Sequence, residues 1–220
     1  GPLLGTVSPV TGLSSMAQEL LLRAAQHGDI EEAALLMEKG RADPSAAMAP
    51  SNTTALHAAT RAGSLDMVEL LVQSRADPNM KEITHCGGRT PLHIAAQANL
   101  TAIATALLTA GGDPVMRDAR GNTPLHLAAQ EGQADVTRLM IAHGADPNIR
   151  DFSGFNAAWW AKEFKHQEVL DVYASMQVVP LKMTPTERLA FSGTKLKFAT
   201  KGKKSKGDKD KSRDKSKGRK

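Results

Sequence analysis

The chain of 220 residues has a single cysteine, Cys86, and only 4% aromatic residues, none of which precedes Phe152. One cysteine excludes an internal disulfide framework and a multi-cysteine zinc site, and it fits a reducing, intracellular setting in cytoplasm or nucleus. So few aromatic rings leave the core to Ala, Leu, Val, Ile and Met, a composition suited to closely packed helices. No hydrophobic run reaches membrane-spanning length. The opening GPLLGTVSPVTGLSS has no basic segment followed by an apolar core, so no secretory signal is visible, and residues 1–15 read as a leader or disordered segment ahead of Met16. Phosphate-binding glycine loops, paired catalytic carboxylates and nucleophile elbows are also missing. His85-Cys86 could suggest a thiol with its base, but the pair lies in a glycine-bordered loop without the flanking context of a cysteine enzyme. The sequence therefore predicts no enzyme activity, no metal and no cofactor.

Charge is unevenly placed. Residues 201–220 hold 11 of the 28 Lys and Arg and 3 of the 23 Asp and Glu, which leaves a mildly acidic body ahead of a strongly basic end. That tail, KGKKSKGDKDKSRDKSKGRK, contains no apolar side chain and is expected to be disordered. Lys203, Lys204 and Lys206 fit a basic import patch, while the whole tract could also contact nucleic acid or an acidic surface, or serve solubility alone. No aromatic residues are interleaved to stack on bases.

Self-comparison shows a repeat. Thr54-Ala55-Leu56-His57-Ala58-Ala59 returns as Thr90-Pro91-Leu92-His93-Ile94-Ala95-Ala96 and Thr123-Pro124-Leu125-His126-Leu127-Ala128-Ala129, with histidines 36 and 33 residues apart. Asp43-Pro44, Asp77-Pro78, Asp113-Pro114 and Asp146-Pro147 follow at 34, 36 and 33. In the best-formed unit Thr123 can cap a helix whose first position is Pro124, Gly132 can close that helix, and Val136, Leu139 and Met140 recur at helical spacing until Gly144. Three extra residues between Asn79 and Thr90 lengthen one loop near Ile83-His85.

The T-P-L-H-x-A pattern at this period resembles the ankyrin family over roughly residues 17–175. The resemblance implies an all-α solenoid of about five helix-turn-helix units with hairpin loops, in a domain over 16–175. The units fall near 17–48, 49–84, 85–117, 118–150 and 151–175, with the first and last as caps. Arg75 and Asn99 stand where glycine is usual, and Asn156-Ala157-Ala158-Trp159 replaces the motif in the last unit. Residues 176–200 form an extension in which Thr184-Pro185-Thr186-Glu187 can start a short helix over 185–191, and 201–220 is the tail. The three motif histidines are then expected to bond local backbone rather than a metal.

Family members bind partners through the hairpin tips and the exposed face of the first helix. Carried over residue by residue, this assigns partner contacts to Arg61, Arg89, Gln97, Arg120, Asn122, Gln130, Glu131, Phe152, Phe155 and Phe164, with Ser51, Thr53, Cys86, Ala119 and Glu163 at matching positions. The late aromatics, Trp159 and Trp160 included, either seal the last repeat against water, with the following segment folded back on them, or form a partner's anchor pocket. The expected function is that of a monomeric, non-enzymatic protein-binding adaptor, scaffold or chaperone-like module. The alternative is a nucleic-acid or ribonucleoprotein accessory factor acting through the tail.

Overall fold

Thr54, Thr90 and Thr123 each sit in extended backbone and cap the helix that follows, with Pro91 and Pro124 in the first helical turn, where a missing N–H costs nothing. The computed structural model describes residues 9–83 and 87–181. Among these are ten helices: α1 (Pro9–His27), α2 (Ile30–Glu38), α3 (Ala55–Ala62), α4 (Leu65–Gln73), α5 (Pro91–Gln97), α6 (Thr101–Thr109), α7 (Pro124–Glu131), α8 (Ala134–Ala142), α9 (Ala157–Glu163) and α10 (Gln167–Ser175). Isolated bridges close hairpins at Met48 with Thr53, Glu82 with Arg89 and Arg150 with Asn156. The described residues fall within one unit, Gly1–Lys182, and the second unit, Met183–Lys220, lies outside them.

The odd-numbered helices pack in sequence as one row and the even-numbered helices as a second row. Each helix touches its own hairpin partner and its counterparts in adjacent units, which is the contact pattern of a solenoid. Leu56, Leu92 and Leu125 are fully buried at equivalent positions, and Ala59, Ala95 and Ala128, three residues further on and also fully buried, let the first-row helices approach closely. Each such leucine contributes roughly 2 kcal/mol by burial, and truncating Leu92 to Ala would cost about 2–5 kcal/mol because rigid neighbours cannot fill the hole.

Three features depart from or sharpen the sequence reading. Helix α1 starts at Pro9, so regular structure begins inside the segment expected to be a leader or disordered, and the first unit starts before Ala17. The hairpin from Glu82 to Arg89 is longer by three residues than the corresponding one from Asp118 to Asn122, which puts the insertion where the spacing predicted it. The positions that lack glycine still adopt its conformation: Asn99 has φ +56°, Arg75 +69° and Lys165 +62°. Asn tolerates this region, whereas Arg and Lys adopt it at a cost.

His85, Cys86, the short helix expected over 185–191 and the tail with Lys203, Lys204 and Lys206 lie outside the described residues.

Candidate protein-binding surface

The hairpins are held in place by the motif histidines. The backbone N–H groups of Thr54, Thr90 and Thr123 donate to Nδ1 of His57, His93 and His126 at 3.3, 3.2 and 3.1 Å, with each threonine hydroxyl 2.8 Å from the same nitrogen. Nδ1 is thereby the acceptor, so the ring proton is on Nε2. From there it reaches the next hairpin's carbonyl, at Arg89, Asn122 and Phe155, over 3.0, 3.1 and 3.1 Å. Burial lowers the pKa of all three rings, His93 to about 4, since a buried imidazolium would lose its water. With both nitrogens occupied, these rings have no lone pair to offer a metal. Among the described residues no group of three or more His, Cys, Asp and Glu is placed to hold one.

The hairpins leading into the third, fourth and fifth repeats are each organised by a basic residue followed by an acidic one, Lys81-Glu82, Arg117-Asp118 and Arg150-Asp151. The acidic member turns inward: Asp118 Oδ1 accepts from the backbone of Arg120 and Asn122 at 2.8 Å, and Asp151 Oδ1 accepts from Ser153 and Phe155 at 2.8 and 3.0 Å. Glu82, in the longer loop, accepts from the Arg61 guanidinium of α3. The basic member reaches along the stack. Lys81 Nζ donates to the Arg117 carbonyl at 2.8 Å, and Arg117 donates to the Arg150 carbonyl at 2.7 Å. These two cations thus meet neutral carbonyls, and among the described residues neither forms an ion pair with a carboxylate.

Along the adjoining ends of the first-row helices runs a polar chain. The Arg89 guanidinium donates to Gln97 Oε1 at 2.7 Å, and Gln97 Nε2 donates to Glu131 Oε1 at 3.0 Å, linking the third and fourth repeats across the surface. Gln130, half-buried, accepts from His166 Nε2 through its backbone carbonyl at 2.9 Å. Beyond this chain the aromatics form one continuous group. Phe155 stacks on Trp159 with centroids 3.8 Å apart, Trp159 meets Trp160 edge-on at 5.0 Å, and Trp160 lies nearly parallel to Phe164 at 5.8 Å. Phe152, at a hairpin tip, is 41% exposed with the Arg117 guanidinium 6.0 Å from its ring centre, and Phe164 is 51% exposed.

The structure thus brings together Arg89, Gln97 and Glu131, and separately Phe155 with Phe164, while Arg120 and Phe152 project at neighbouring tips. Arg61 is committed to Glu82. Asn122 requires correction: it is 4% exposed, its amide donates to Asp118 Oδ2 at 3.3 Å, and its carbonyl receives His93, so it builds the hairpin and offers no side chain to a partner. The open question about the tryptophans has a mixed answer. Both are half-buried, and Trp160 Nε1 donates to Asp151 Oδ2 at 2.8 Å. The chain does fold back on the last unit, but through Asn156, whose side chain bonds the Val179 carbonyl and the Leu181 N–H at 2.9 and 2.8 Å. Val179–Leu181 therefore occupies the place of a following hairpin. Sequence reasoning missed Lys81 and Arg117, although the dipeptides Lys81-Glu82, Arg117-Asp118 and Arg150-Asp151 repeat at the motif period and could have shown them.

Two rows of short helices locked hairpin to hairpin, with polar and aromatic side chains along one edge, define a helical repeat protein that presents an extended surface. A family model described as ankyrin repeats (3 copies) matches residues 12–82 and 92–172. The chain belongs to the ankyrin-repeat family. It is also similar to protein phosphatase 1 regulatory subunit 27 of Mus musculus and of Homo sapiens, each 36% identical over 100 residues, which are 46% of this chain and 60% of theirs. The match thus spans about three-fifths of the length of these curated relatives. No helix among the described residues is long and apolar enough to cross a membrane.

Proposed function

We propose that this chain is a non-enzymatic adaptor that holds a partner protein along the hairpin tips and first-row helices of its third to fifth repeats. The observation that carries this reading is the exposure of Phe152 at a hairpin tip and of Phe164 at one end of a packed aromatic group, on the same row of hairpins and helices as the Arg89–Gln97–Glu131 chain. Aromatics and arginines are enriched among the few residues that carry most of the binding energy of a protein interface. The relatives named as phosphatase regulatory subunits favour a regulatory use, with a phosphatase catalytic subunit as the first partner class to try.

Affinity purification from cells, comparing the chain with a Phe152→Ala, Phe164→Ala, Arg120→Ala variant of unchanged thermal stability, tests it. Loss of the same set of partners from the variant is the expected result, and equal recovery from both would refute the reading. The +8 charge of residues 201–220 supports a second use, polyanion contact through the tail. Binding that survives deletion of 201–220 and is insensitive to added salt would eliminate that use.

A further inference from the structure

The repeat places charge of opposite sign on its two sides. The second-row helices with their turns, residues 29–46, 64–80, 100–116, 133–149 and 166–175, carry 13 Asp and Glu against 4 Lys and Arg. The hairpins with the first-row helices, residues 47–63, 81–99, 117–132 and 150–165, carry 5 Asp and Glu against 8 Lys and Arg. Three of those five carboxylates, on Glu82, Asp118 and Asp151, are at most 4% exposed and already accept bonds within the protein, so they present no free carboxylate to a partner, while the Arg120 side chain is exposed. A mildly acidic body thus turns a basic edge outward, and the exposed aromatics lie on that edge.

Resting on the adaptor reading above, we infer that the partner contributes an acidic peptide segment with an apolar anchor, seated on the hairpin edge around Arg117, Arg120, Phe152 and Phe155. Arg117 and the Phe152 ring share one spot, so a carboxylate and a neighbouring apolar side chain can be met together. Arg117 is held by its bonds to the Gly121 and Arg150 carbonyls, and the Phe152 ring packs against Gly121, so little side-chain freedom is lost on binding. A nucleic acid fits less well, because Phe155 is stacked on Trp159 and Trp160 on Phe164, leaving those paired faces closed to bases.

The test is selection of a displayed random peptide library on the full chain, followed by binding of the recovered peptides at physiological salt to wild type, Arg120→Glu, Arg120→Lys and Phe152→Ala. Arg120 bonds its neighbours through its backbone, so these exchanges leave the hairpin intact. Recovered peptides should be rich in Asp and Glu around an aromatic or aliphatic residue. Arg120→Glu should weaken them at least about fivefold, with a reduced salt dependence, Arg120→Lys should preserve most binding, and Phe152→Ala should weaken them without changing the salt dependence. Neutral or basic peptides that still require Phe152 would overturn the acidic partner while leaving the adaptor intact. Acidic peptides indifferent to both positions, or a single-stranded oligouridine binding the edge more tightly than any peptide, would overturn it as well. Recovery of nothing that depends on this edge would sink both readings.

Discussion

Trp160 Nε1 donates to Asp151 Oδ2 at 2.8 Å, joining the first-row helix of the last repeat to the carboxylate that organises its hairpin. The same carboxylate holds the Ser153 and Phe155 N–H groups through its other oxygen. Replacing Trp160 with Phe keeps a ring but removes the donor from a buried acceptor, a loss of about 1–3 kcal/mol. Urea unfolding should show it, accompanied by weaker partner capture because the Phe152 tip hangs on this hairpin. Unchanged stability would mean the bond contributes nothing net.

Stability should fall in acid through the motif histidines. Their folded pKa values are lowered by burial from the ordinary value of 6.5, so the folded chain binds fewer protons than the unfolded one. The contribution is complete above about pH 6.5 and is lost as the pH falls through that value, levelling off for His93 near 4, with roughly 3 kcal/mol at stake for that residue. Urea midpoints measured from pH 8 down to 4 should follow this course, and His93→Gln should flatten it. A midpoint independent of pH over that range would contradict the neutral, Nε2-protonated assignment.

Asn156 caps α9 by accepting from the Trp159 N–H at 3.0 Å, and it also ties down Val179 and Leu181. Asn156→Ala should cost about 2–3 kcal/mol, more than a helix cap alone. Amide exchange at Leu181 should accelerate with it. Protection at Leu181 equal to wild type would show that the segment is held by Val178 packing instead.

Arg75 follows α4 with φ +69° and an exposed side chain. Arg75→Gly should stabilise by about 0.5–1 kcal/mol, raising the melting temperature by about 1–4 °C, because glycine adopts this backbone without strain. A lower melting temperature would indicate that the arginine makes a contact worth more than the strain.

At Gly121, with φ +81°, an added Cβ would come within 2.6 Å of the Phe152 ring and 2.7 Å of its backbone nitrogen. Gly121→Ala should therefore destabilise the chain and displace Phe152, weakening any partner that uses this ring. Wild-type affinity in a folded Gly121→Ala protein would remove Phe152 from the binding edge.

Much of the scaffold could be read directly, because Thr90-Pro91-Leu92-His93 and its copies encode local events: a cap, a first turn, a buried leucine. The three extra residues before Thr90 were equally plain, since period is a property of spacing. Asn122 misled because position in a hairpin does not reveal which way a side chain turns. Its amide bonds inward to Asp118, while Arg120, two residues earlier, points to solvent.

The sequence by itself determined the repeat, its helix starts and the basic tail, all of which depend on residues within a few positions of one another. Only the tertiary structure decided that Asn156 would fasten Val179–Leu181 in the place of a following hairpin, that Trp160 would spend its N–H on Asp151, and that the carboxylates of Glu82, Asp118 and Asp151 would turn inward while Arg120 stays exposed. The reason is physical: burial and long-range hydrogen bonding assign partners and remove charge from the surface only when neighbouring repeats have stacked, and no local pattern records that outcome.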